Sequence, residues 1–192
     1  DMCCDSFDES YSGCLDLTSP RSCYPSSKRA AETLCASYTK QLGLETVIVR
    51  PCHTYGPGIT DNDNRANVQF MRNVLNNEDI VLKSAGAQMR SYCYVADCAS
   101  AILTVLLNGK SGEAYNSANP DSRVTIADFA KATAHAAGKI VRFAEPTAAE
   151  LADRTPIPRQ VLSSEKLESL GWRGRYDIAT GVRHTLDILL GK

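Results

Sequence analysis

Tyr24 and Lys28 stand four positions apart in the run Tyr24-Pro25-Ser26-Ser27-Lys28. On a helix that spacing places both side chains on one face, one turn apart. A free phenol has a pKa near ~10 and is a poor base at neutral pH. An ammonium beside it favours the phenolate and lowers that value, which is the tuning a general acid/base needs. The spacing alone also occurs on ordinary exposed helix faces, so the surrounding sequence must decide. Two further residues have suitable chemistry. His53, in Pro51-Cys52-His53-Thr54-Tyr55, can donate to a phosphate, act as an acid/base group, or serve only as a hydrogen-bonding spacer. Arg90 is of the type suited to bidentate phosphate recognition, and a surface ion pair is its plain alternative.

The elements that must position these groups can be read from periodicity. Pro25 suits a first helical turn, and Ala30, Ala31, Leu34, Cys35, Tyr38 and Leu42 recur at helical spacing up to Gly43, a plausible stop. Thr46-Val47-Ile48-Val49 within residues 45–50 reads as a buried parallel strand. Ligands of open α/β sheets bind beyond the carboxyl ends of strands, which puts residues 51–58 where a site is expected. A polar loop over 59–67 leads to a helix bearing Val68, Met71, Val74 and Leu75, then a short strand at 80–83. Arg90 opens a strand carrying Tyr92 and Tyr94, and Asp97 is expected to cap a helix through Leu107. Residues 114–118 read as a strand, Thr125-x-x-Asp128 as a capping-box start of a helix ending near Gly138, and 139–145 as strand-like. A Pro-rich turn at 155–159, a short helix over 164–170 and an amphipathic helix over 177–190 complete the chain, with no internal repeat.

Composition narrows the function. The 192 residues are 43% hydrophobic with a net charge of -1, enough apolar content for a core and no basic field for nucleic acid or anionic membrane. The longest nearly apolar run, 101–107, is too short to span a bilayer, and no signal peptide is visible. The eight cysteines, at 3, 4, 14, 23, 35, 52, 93 and 98, show neither Cys-x-x-Cys nor a Cys/His zinc spacing. They read as structural thiols of a reducing cytoplasm, and no metal site is expected.

The run Tyr-Pro-Ser-Ser-Lys-Arg-Ala-Ala-Glu from Tyr24 resembles the Tyr-x-x-x-Lys helix of the extended short-chain dehydrogenase/reductases, the NAD(P)-dependent epimerases, dehydratases and decarboxylases of nucleotide sugars. Arg50-Pro51-Cys52-His53-Thr54-Tyr55-Gly56-Pro57 is similar to that family's Arg-x-x-Asn-x-Tyr-Gly-Pro, with His53 in place of Asn. The run from Gly86 to Asp97 resembles its Gly-x-Gln-x-Arg-Asp-x-x-Tyr-Val-x-Asp, with Ser91 in place of Asp. Leu170-Gly171-Trp172, with Gly181 beyond, is a fourth match in the same order. No Gly-x-Gly-x-x-Gly or Gly-x-x-Gly-x-x-Gly fingerprint occurs, and the chain is therefore expected to be the C-terminal part of a longer enzyme.

The resemblance implies an α/β fold: the C-terminal portion of a Rossmann-type doubly wound parallel sheet with a smaller α/β substrate-binding domain. Residues 1–50 would be a remnant of the NAD-binding domain and 51–192 mainly the nucleotide-sugar-binding domain, with 92–118 returning to the Rossmann sheet. It further implies Tyr24 and Lys28 as catalytic residues. NAD (or NADP) would meet Tyr24, Lys28, Pro51, Cys52 and His53. The nucleotide-diphosphate sugar would meet His53, Val68, Arg90, and Arg154 or Arg159. A homodimer is expected of the full-length enzyme, and inactivity of the fragment. The alternatives are a non-catalytic superfamily member, redox-sensing or RNA-associated, and an inactive truncated product.

Overall fold

β-Branched and apolar residues at Ile48-Val49 favour an extended, half-buried backbone, and they form β1 (Ile48–Pro51). Its parallel neighbour is β5 (Ala114–Ser117), with Ile48 opposite Ala114 and Pro51 opposite Ser117. Before β1 lies α1 (Cys23–Leu42), which follows the 3-10 turn Pro20–Ser22. It ends at Gly43, whose φ of 66° is the left-handed geometry a glycine cap takes without strain. The computed structural model describes residues 5–147 and 157–192.

A second sheet is built around β4 (Met89–Tyr94). Its second half pairs in parallel with β2 (His53–Tyr55), His53 lying opposite Tyr92. Its first half pairs antiparallel with β6 (Arg123–Thr125) and parallel with β8 (Arg159–Gln160). A parallel pair, β3 (Ile80–Leu82) with β7 (Val141–Phe143), stands apart. The helices are α2 (Ala66–Leu75), α3 (Val95–Asn108), α4 (Ile126–Ala136), the short α5 (Glu165–Glu168) and α6 (Ile178–Leu189). The α4 start follows the capping-box expectation: Thr125 Oγ1 accepts from the Asp128 amide at 3.0 Å and donates to its carboxylate at 2.6 Å.

Side chains of β4 alternate between two cores, because successive strand residues face opposite sides. Tyr92 and Tyr94 join Tyr55, Phe70, Phe129 and Val182 in the core under α2, α4 and α6. Cys93 turns the other way, to Cys98, Val105, Tyr115, Leu167 and Trp172.

Asp97 does not cap α3, as the sequence suggested; that helix begins two residues earlier, with Tyr94 at its N-cap position. The Asp97 side chain is buried and its carboxylate instead accepts from the Arg175 and Tyr176 amides, each at 2.9 Å. A carboxylate taking two long-range amides is a tertiary clamp, which local propensity cannot announce.

Candidate active site

Tyr24 occupies the first turn of α1 and is 71% exposed. Lys28 Nζ lies 5.4 Å from the centroid of its ring, within cation–π reach, so the i, i+4 spacing does bring the cation to the phenol. The pair stands open to solvent, and no α1 side chain is buried. The helix is instead tied down by polar contacts. Arg50, from β1, donates Nε and Nη2 to the two carboxylate oxygens of Glu32 at 2.8 and 2.7 Å, and Nη1 to the Glu9 carbonyl at 2.9 Å. Arg29 donates to the Ser12 and Gly13 carbonyls. The fork–fork geometry of Arg50 and Glu32 ties α1 to β1. Their pairing spans 18 positions and leaves no local signal in the sequence.

Pro51 ends β1, Cys52 alone separates the two strands and His53 opens β2, and the Cys52 amide donates to the Ser117 carbonyl at 3.0 Å, holding this link against the end of β5. Burial pushes the Cys52 thiol well up and the Cys93 thiol up to about 12, so neither is a thiolate nucleophile at neutral pH. His53 is half-buried, its ring centroid 5.6 Å from that of Tyr92. Burial first, then the Arg90 charge, holds the imidazole below the ordinary histidine value, so it is neutral at pH 7.

Arg90 is 5% exposed, with Nη1 donating to the Met89 carbonyl at 2.8 Å and Nη2 to the Ile157 carbonyl at 2.9 Å. Among the described residues it has no carboxylate partner. A guanidinium stays charged when buried, and a buried charge without a counter-ion is costly. That combination is what an anion placed beside Arg90 would compensate. Nearby, Arg65 donates Nη1 to the Thr54 carbonyl at 3.0 Å while its other nitrogens hold Asp63. Sequence reading missed Arg65; it stands in the polar stretch before α2, and only the fold brings it to β2.

The remaining expected residues are scattered. Val68 is buried in the first turn of α2 at 3% exposure. Arg159 lies on β8 opposite Met89, but its guanidinium donates to the Asp5 backbone carbonyl at 3.0 Å and carboxylate at 3.1 Å. Arg154 lies outside the described residues. Tyr55, of the Tyr-Gly-Pro motif, is packed under α6 where Gly181 leaves room: a Cβ there would lie 2.9 Å from the tyrosine Cζ. That contact explains why position 181 is a glycine, since any side chain there would meet the Tyr55 ring.

Tyr24 and Lys28 are exposed and paired, whereas a glycine-rich pyrophosphate cradle is not among these residues. The fold is of the Rossmann type, a parallel α/β pairing with its candidate ligand-facing turn at the carboxyl ends of the strands. Residues 5–118 match the model of the NAD dependent epimerase/dehydratase family, and the chain belongs to that family, which is NAD-dependent. It is 32% identical over 177 residues to UDP-glucuronic acid decarboxylase 3 of Arabidopsis thaliana, covering 91% of this chain and 49% of that protein. Similarity to the dTDP-D-glucose 4,6-dehydratase of Homo sapiens is 30% over 199 residues, 95% of this chain and 54% of that one. The structure of a Thermus thermophilus UDP-glucose 4-epimerase in complex with NAD superposes with a TM-score of 0.74 at 28% identity, covering 94% of this chain and 58% of that one. The chain thus spans about half the length of the curated relatives it matches.

Proposed function

We propose that these residues supply the acid/base helix and most of the nucleotide-sugar-binding half of an NAD(P)-dependent epimerase, dehydratase or decarboxylase. The observation that carries the reading is the Tyr24–Lys28 apposition on an exposed helix start, inside the residues that match the family. Bound NAD supplies the hydride acceptor and donor. Tyr24 takes the proton of a sugar hydroxyl as that carbon is oxidised to a transient keto-sugar, and returns it later. Lys28 stabilises the phenolate and binds the nicotinamide ribose, with Pro51, Cys52 and His53 closing the nicotinamide side. Arg90 receives the diphosphate, helped by His53, with Val68 lining the nucleotide side and Arg154 or Arg159 as a second cation. On this reading residues 1–50 belong to the dinucleotide domain and 51–192 mainly to the sugar-nucleotide domain, with 92–118 returning to the first through β5, and the working enzyme is a cytoplasmic homodimer.

The test is turnover of UDP-glucuronate, UDP-glucose and dTDP-glucose with NAD, in the longest natural form of the protein. Tyr24→Phe is expected to lower turnover by about two to four orders of magnitude while leaving nucleotide-sugar affinity nearly intact. Near-normal turnover in that variant would remove Tyr24 from the chemistry.

A further inference from the structure

His53 lies opposite Tyr92 on β4, two residues along that strand from Arg90, with its ring centroid 5.6 Å from that of Tyr92. Arg65 Nη1 reaches the carbonyl of the next residue, Thr54, at 3.0 Å. The charged groups that act on its ring, Arg90 from β4 and Arg65 from the segment before α2, are both cations. Asp63 is committed to Arg65, with oxygens 3.0 Å from Nε. The Tyr92 phenol, on the strand opposite, is pushed up to about 12 by burial and is neutral. The Ser91 backbone carbonyl is the group that favours a proton on the ring, and it is outweighed by burial and Arg90. The chain therefore holds an imidazole kept below its ordinary value, two positions along the strand pairing from a buried guanidinium that has no carboxylate partner among the described residues.

We propose that His53 is a proton-linked donor to the anion held by Arg90: when a diphosphate ester binds, the imidazole takes up one proton from solvent and becomes a second cationic contact. The inference rests on the reading of Arg90 as the diphosphate receptor and extends it to a residue and a pH dependence. The physical reason is one of sign. Two nearby cations make a third unwelcome, while a doubly charged anion placed among them reverses the local potential. Desolvation of the ring opposes protonation in both states, so the change on binding comes from the ligand charge. A proton taken up on binding makes affinity fall as pH rises between the free and bound titration points of His53.

The chain has three histidines, His53, His135 and His184, so the imidazole resonances can be followed individually by NMR and His53 assigned through His53→Asn. The experiment titrates the chain between about pH 5 and 8, alone and with millimolar UDP-glucose or dTDP-glucose. In these esters the diphosphate keeps its charge over that interval. Without ligand His53 should titrate below the ordinary value; with ligand its midpoint should rise by about one unit or more, while His135 and His184 stay put. His53→Asn should bind more weakly than the parent at the acid end of this interval, with an affinity that no longer changes with pH across it. Binding that leaves the His53 midpoint unmoved overturns this inference and leaves Arg90 as the receptor. An unliganded midpoint at or above the ordinary value also overturns it. Failure of both sugar nucleotides to perturb any resonance around Arg90 overturns the receptor reading and this inference together.

Discussion

Arg90 carries its charge inside with two backbone carbonyls to receive it and, among the described residues, no carboxylate. Burial lowers its pKa, yet a guanidinium does not deprotonate in this range, so the residue stays a cation that an anion would compensate. Arg90→Ala is expected to weaken UDP and dTDP binding by about 1.5–3 kcal/mol, the scale of one charge-assisted hydrogen-bonding group. Calorimetry or equilibrium dialysis of the variant and the parent protein is the check, and unchanged affinity would reduce Arg90 to a packing residue. Removing the buried charge should not itself unfold the protein, because an unpaired interior cation contributes little to stability.

At the level of elements, the structure relies on a few long-range polar clamps. Asp97 joins α3 to the segment that enters α6 by accepting the Arg175 and Tyr176 amides at 2.9 Å, and it is 2% exposed. Asp97→Ala leaves two amides without their acceptor and is expected to cost about 3 kcal/mol of unfolding free energy. Asp97→Asn, which keeps an acceptor oxygen in place, should cost clearly less. Urea unfolding of the three proteins measures this, and equal midpoints would show that water serves the two amides as well. The Arg50–Glu32 pair works differently. Both partners are about one-third exposed, so it contributes orientation of α1 more than free energy.

Across the whole molecule, the two candidate ligand regions differ in what supports them. Strand β4 has a packed core on each face, whereas α1, with Tyr24 and Lys28, buries no side chain. Leu34, Tyr38 and Leu42 on α1, and Ile102, Leu103, Leu106 and Leu107 on α3, stay exposed. Apolar surface of that kind favours association, and sedimentation is expected to show self-association that strengthens with concentration. Dinucleotide binding by these 192 residues alone should be weak, because the pyrophosphate is normally held by a glycine-rich turn that this sequence does not contain. Calorimetric titration with NAD at millimolar concentration is expected to give no saturable heat. Micromolar saturation would mean that other backbone amides here perform the task of the fingerprint.

Local patterns determined the helices and the longer strands, and with them the i, i+4 pairing of Tyr24 and Lys28, because helix spacing, caps and strand runs act over a few residues. Gly43 ends α1 and Thr125 starts α4 for such reasons. The short strands β2, β6 and β8 carry no such signal and form by pairing with β4. Motif order determined the family as well, since four runs of specific residues carry more information than any periodicity. The tertiary structure alone decided which motifs meet. Only folding brings Glu32 to Arg50, Tyr55 to Gly181 and Arg65 to the strand that bears His53. It also converted Asp97 from an expected cap into a clamp, and aimed Tyr92 and Cys93, adjacent in sequence, into different cores. The electrostatic state of His53 belongs to the same category. A histidine code says only that a proton is exchangeable near neutrality; burial and the placement of Arg90 determine which state is occupied, and both are properties of the packed chain.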